Sequence, residues 1–115
     1  MLKIDLHAHT IASGHAFNTI YEMAKAASEK GVKILGIVEH GPETLGSAKE
    51  VYFECLDRVP KELFGVKLLF GCELNIINEK GEIDLSENTL KKLDFASGFH
   101  IAHSYKGSEE SKKEP

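Results

Sequence analysis

Asp5-Leu6-His7-Ala8-His9-Thr10 sets two imidazoles two residues apart near the start of a 115-residue chain. In an extended segment residues i and i+2 point to the same side. His7 and His9 can therefore reach one cation together, with Asp5 on the same face one step behind. His15, His40, Glu73 and His100 follow. Imidazole and carboxylate suit zinc, manganese and iron alike, and a glutamate can bridge two ions through its two oxygens. Divalent ions about 4 Å apart polarise a phosphoryl group and lower the pKa of a bridging water. Hydrolysis of a phosphate ester is the natural reaction, with Glu73, His7 and His9 as its central residues.

The elements that must hold these residues can be read from the apolar runs. Residues 1–6 are expected as a short buried strand, followed by a loop carrying Ser13-Gly14-His15. Asn18 or Thr19 caps a helix to about Lys30, with Ile20, Met23, Ala24 and Ala27 on its apolar stripe and Gly31 just beyond its end. Residues 32–38 are almost continuously apolar, as a parallel strand buried on both faces would be. Ser47 and Glu50 have the spacing of a capping box, for a helix running to about Val59. Residues 66–70 form a third strand that continues through Glu73 to Ile77, then turns at Asn78-Glu79-Lys80-Gly81 into a small hairpin. Ser86 caps a short helix to about Lys92, and residues 95–99 form the fourth strand.

Strands and helices thus alternate at about 30 residues per unit, the spacing of a β/α barrel. His7 and His9 end the first strand, Glu39 and His40 the second, Glu73 the third and His100 the fourth. All fall at carboxyl ends, where parallel α/β sheets build their sites. If the histidines only closed the strands, no metal would bind at all.

Composition narrows the partners. A net charge of −4 argues against a general nucleic-acid or anionic-membrane surface. The two cysteines, Cys55 and Cys72, lack metal or redox spacing and read as buried thiols. A 42% hydrophobic and 28% charged chain is an ordinary globular one. No leader or membrane-length apolar run is evident, so a cytoplasmic protein is expected. Residues 104–115 read as a polar tail, and His103 as an exposed residue beside it.

In order along the chain, Asp5-Leu6-His7-Ala8-His9-Thr10, Val38-Glu39-His40-Gly41-Pro42, Gly71-Cys72-Glu73 and Gly98-Phe99-His100 resemble successive motifs of the polymerase-and-histidinol-phosphatase (PHP) family. Ala12-Ser13-Gly14-His15-Ala16, Glu73-Leu74-Asn75-Ile76 and Gly81-Glu82-Ile83-Asp84 are closest to its YcdX-like phosphatases. The similarity covers the chain to about residue 103. It implies an α/β fold: four parallel strands with helices, the N-terminal half of a distorted barrel of seven β/α units around a centre of up to three ions. On this resemblance His7 and His9 hold the first ion and Glu73 bridges it to a second. His100 sits on the second ion, His15 and His40 bind the third, and Asp5 orients an imidazole. The family's second motif usually has Thr-Asp-His. Glu39 is longer than that aspartate and can still hydrogen-bond near the site, but the aspartate's role does not carry over to it.

The later family motifs, a further histidine and an Asp-x-His pair, are absent here. Four strands leave a barrel open, so activity is expected to need a complementing C-terminal half. A self-associated chain would cover the open faces without supplying those ligands. The expected function is hydrolysis of small phosphate monoesters with Zn²⁺ or Mn²⁺, or with iron. A metal-binding half-barrel without activity is the non-enzyme alternative, and a 3′–5′ exonuclease-type domain fits the acidic charge less well.

Overall fold

The apolar runs become a parallel sheet. The structure, a computed structural model, describes residues 2–101, so His103 and the 104–115 tail lie outside the described residues. Strands β1 (Lys3–Ala8), β2 (Val32–His40), β4 (Val66–Ile76) and β5 (Phe95–Ile101) pair in that order, all parallel. Together with helices α1 (Ile20–Glu29), α2 (Glu50–Glu54) and α3 (Glu87–Leu90) they form half of a β/α barrel. Among the described residues no helix is long and apolar enough to cross a membrane.

Register decides which face each side chain takes. Ile34 pairs with Lys67 and the ladder runs without a break to His40 opposite Glu73. Leu35 and Ile37 of β2 therefore share a face with Leu68, Phe70 and Cys72 of β4, and these five are buried in the main core. Ala24 and Ala27 of α1, Phe53 of α2 and Leu56 of the following 3-10 turn complete that layer. The alternate positions, ending in His40 and Glu73, face the other way.

Thr19, not Asn18, caps helix α1. The Thr19 hydroxyl accepts from the Glu22 amide and the Glu22 carboxylate accepts from the Thr19 amide, a reciprocal capping box. Gly31, at φ 79°, follows its end.

Several expectations need correction. β1 is not buried: among the described residues only β2 pairs with it, and Leu2, Ile4 and Leu6 are each about half exposed or more. The Ser47 capping box does not form. Ser47 donates instead to the His40 carbonyl, with the Ala12 carbonyl 3.2 Å from the same hydroxyl, and Glu50 accepts from the Ser86 amide and the Thr89 hydroxyl at 2.8 and 2.7 Å. With Ser47 and Glu50 both engaged elsewhere, α2 begins at Glu50 without a side-chain cap and lasts five residues. A 3-10 turn at Leu56–Arg58 takes over the rest of the expected helix.

The expected hairpin after Ile77 is a single bridge between Ile76 and Ile83. Ser86 caps α3 as expected, but the helix ends at Leu90. An unexpected strand, β3 (Glu62–Leu63), pairs antiparallel with the start of β4. Its loop is Phe64-Gly65, with φ of 54° and 79°, the positive pair that a two-residue type I′ hairpin requires. Cys72 is buried as expected, whereas Cys55 is only partly so.

Candidate metal centre

The carboxyl ends of all four parallel strands converge on Glu73. This side chain is almost fully buried, and its two oxygens divide four histidines between them. Oε1 meets Nε2 of His7 and lies 3.5 Å from Nε2 of His9. Oε2 lies 3.2 Å from Nδ1 of His40 and 3.0 Å from Nε2 of His100. Two groups with metal-ligand spacing result, one of His7, His9 and Glu73, the other of His40, Glu73 and His100. Both share the one carboxylate.

A β-bulge aims the first pair. Asp5 pairs with Leu35 and Ala8 with Ile37, so Leu6 and His7 together stand opposite Gly36 alone. The bulge breaks the period of two between Asp5 and His7, and Asp5 does not take the imidazole-orienting place that the resemblance implied. Its carboxylate accepts the His7 backbone N–H at 3.0 Å, the amide that the bulge takes out of the ladder. His7 and His9 do converge as their i, i+2 spacing suggested, with ring centroids 5.0 Å apart.

His40 follows directly from the ladder, because it is the residue opposite Glu73. Its ring stacks on that of His9 at 4.6 Å and 11°. His100 pairs with Asn75 after a register shift in β5, which brings its ring beside Glu73. His15 lies outside both groups of three but stands edge-on to His40, with centroids 5.7 Å apart. Two glycines place its loop: a Cβ on Gly14 would lie 2.4 Å from the Gly46 carbonyl oxygen. The Ala48 amide, donating to the Ala12 carbonyl at 2.8 Å, ties the same two loops together.

Burial pushes His40 below the ordinary imidazole range. Glu73 opposes that shift, and the neighbouring His9, His15 and His100 reinforce it. Burial works against the charge of Glu73, yet the hydrogen bond from His100 and the nearby His40, His7 and His9 together hold it below the usual carboxylate range. A neutral imidazole and an ionised carboxylate are the forms that ligate metal.

The donor set fits divalent cations. Ligand atoms about 2.0–2.2 Å from a zinc-type ion stand roughly 3–4 Å from one another. In each group here they lie within 4.8 Å, so small side-chain movements close each group around an ion.

The residues beneath the histidines carried little signal in the sequence. Glu39, fully buried, accepts from the Thr10 amide, the Ser13 hydroxyl and the Tyr52 hydroxyl at 2.8, 2.8 and 3.1 Å, and from the Thr10 hydroxyl. Asp84 accepts from the Asn75 amide and side chain and from the Glu43 amide, fastening the ends of β2 and β4. Ser13 and Asp84 stood only inside longer motifs, and Tyr52 had no mark at all.

These features define a PHP domain. A model of that domain family matches residues 5–113, and the chain belongs to the family. Among its relatives, a "probable phosphatase" of Caldicellulosiruptor saccharolyticus is 48% identical over 94 residues, which is 82% of this chain and 39% of the relative. One of Caldanaerobacter subterraneus is 50% identical over 93 residues, 81% of this chain and 37% of the relative. One of Proteus mirabilis is 46% identical over 101 residues, 87% and 41% respectively. The chain thus spans about two-fifths of the length of the curated relatives it matches.

Proposed function

We propose that this chain supplies the first ligands of a metal-dependent phosphoesterase centre that hydrolyses small phosphate monoesters. The observation that carries this reading is Glu73, whose two oxygens each face a pair of histidines. His7 and His9 would hold one ion, and His40 and His100 a second, with Glu73 common to both. His15, beside His40, would contribute to a third. A bound divalent pair supplies Lewis-acid polarisation of the phosphoryl group, and zinc, manganese or iron suits the donors. The chain's own residues hold the backbone that carries the imidazoles: Asp5 accepts the His7 amide at the bulge, and Asp84 fixes the strand ends behind His40 and Glu73.

Activity would require the remainder of a full-length domain, since the chain spans about two-fifths of its relatives' length. Metal content is measured on the purified chain. A generic phosphomonoester is then assayed with Mn²⁺ or Zn²⁺, alone and with the C-terminal three-fifths of a relative added. Metal uptake by the chain and hydrolysis by the mixture are expected; no metal and no hydrolysis in either would refute the reading.

The exposed Leu2, Ile4 and Leu6 of β1 favour a second reading, a self-associating metal-binding half-barrel without activity. Light scattering that gives a dimer, with metal bound and the mixture inactive, would select it.

A further inference from the structure

We infer that Glu39 is a positioning residue that fixes which nitrogen of His9 carries the proton, acting through the Ser13 hydroxyl. Four donors surround its buried carboxylate: the Thr10 amide, and the hydroxyls of Thr10, Ser13 and Tyr52. The geometry has each of the three hydroxyls donating to a Glu39 oxygen. Ser13 has one proton, and it goes to Glu39 Oε1 at 2.8 Å.

The two lone pairs of Ser13 Oγ are then what remain. One accepts the His40 backbone N–H at 3.0 Å. The other faces His9 Nδ1 at 3.4 Å. An oxygen with no proton left to give can only accept, so Nδ1 of His9 carries the hydrogen. Neutral His9 then presents a bare Nε2, the atom turned toward Glu73 and shared with the His7 group. Free neutral imidazole favours the opposite form, with the hydrogen on Nε2. The use of that bare nitrogen as a ligand rests on the metal reading above, whereas the tautomer itself does not. The same oxygen anchors the His40 amide, so one glutamate on the helix face sets two histidines on the site face.

The tautomer is read from long-range ¹⁵N–¹H correlation of imidazole nitrogens in the metal-free chain at about pH 8, above the free imidazole value of about 6.5. His9→Gln assigns the signal. His9 is expected with hydrogen on Nδ1 in the wild-type chain and in Glu39→Gln, whose amide oxygen still accepts the Ser13 proton. It is expected to move toward the Nε2–H form in Ser13→Ala and Glu39→Ala. A wild-type His9 protonated on Nε2, or a Ser13→Ala spectrum unchanged at His9, overturns the inference. If Glu39→Ala fails to fold, the wild-type, Ser13→Ala and Glu39→Gln spectra decide alone. A zinc titration adds the functional arm: Ser13→Ala weakens uptake by about 10- to 100-fold, and Glu39→Gln stays within a few fold of wild type. Absence of zinc uptake by the wild-type chain would remove the metal reading while leaving the tautomer result standing.

Discussion

Gly36→Ala tests whether the bulge in β1 is built on close backbone approach. A Cβ at position 36 would lie 2.8 Å from Leu6 Cα, 2.9 Å from its carbonyl oxygen and 3.0 Å from its carbonyl carbon. Ordinary contact between carbon atoms is about 3.5–4.0 Å, so the Leu6–His7 segment must retreat by roughly 0.5–1 Å. Overpacking of this kind costs about 1–3 kcal/mol. The reduced freedom of the unfolded alanine chain offsets about 0.4–1 kcal/mol of that. The net expectation is a loss of about 1–2 kcal/mol, read as a lower urea midpoint with unchanged slope. The functional effect is selective. Ligand sets tolerate only about 0.2 Å of error in metal–ligand distance, so the group that contains His7 and His9 should lose its ion. The group of His40, Glu73 and His100 lies on strands that do not have to move. Calorimetric titration with zinc should therefore show one fewer tight ion than wild type. Wild-type stability together with wild-type stoichiometry would refute the reasoning.

Other perturbations follow from the same geometry. Glu73→Gln leaves one uncharged oxygen where two groups shared a carboxylate, so both sites should weaken by at least about 100-fold, beyond the effect usual for an outer hydrogen-bond partner; retention of either tight site in the titration would contradict the shared-ligand arrangement. Phe53→Ala removes a fully buried ring from α2 and should cost about 3–5 kcal/mol, a large share of a typical domain's stability, measured by urea unfolding. For pH, His40 lies below its ordinary value of 6.5 in the folded chain, so the unfolded chain binds more protons there and metal-free stability should begin to fall as pH drops below about 6.5. Glu73 lies below its ordinary 4.5, so its contribution is present above that value and is lost as pH falls further, through the folded value. Denaturation midpoints measured across this range should fall in both windows, and His40→Gln should remove the upper one.

The strands and their end residues were legible because both signals are local. A run such as Val32–Val38 declares a doubly buried strand, and a histidine or glutamate at its end needs no tertiary information to be noticed. The convergence of His7, His9, His40 and His100 on Glu73 then follows from parallel register. What was not legible depends on partners distant in sequence. The Ser47–Glu50 spacing is a genuine local signature, yet Ser86 and Thr89, which take up Glu50, come from an element some 36 residues on. The bulge at Leu6–His7 is visible only against Gly36, and for that reason the strict alternation that placed Asp5 beside His7 failed. β1 looked buried because its residues are apolar, but burial needs a covering layer, and no single-strand pattern reports one. Glu39 combined both difficulties: its neighbour His40 drew it toward the site, while the pleat turned it to the helices.

The pleat has one more consequence, at Cys72. Burial and the nearby carboxylates Asp84, Glu73 and Glu39 push its thiol well above the usual range, so it stays protonated on the core face. Its neighbour Glu73 presents oxygen on the other. Thiolate is the softer ligand and shifts metal preference toward zinc and copper(I), whereas oxygen with imidazole leaves manganese and iron in contention. A slip of one residue in β4 would exchange the two side chains between faces and replace the shared carboxylate by sulfur. The unbroken ladder from Ile34 opposite Lys67 to His40 opposite Glu73 therefore acts as a chemical filter, with strand register setting which elements of the periodic table the site can accept.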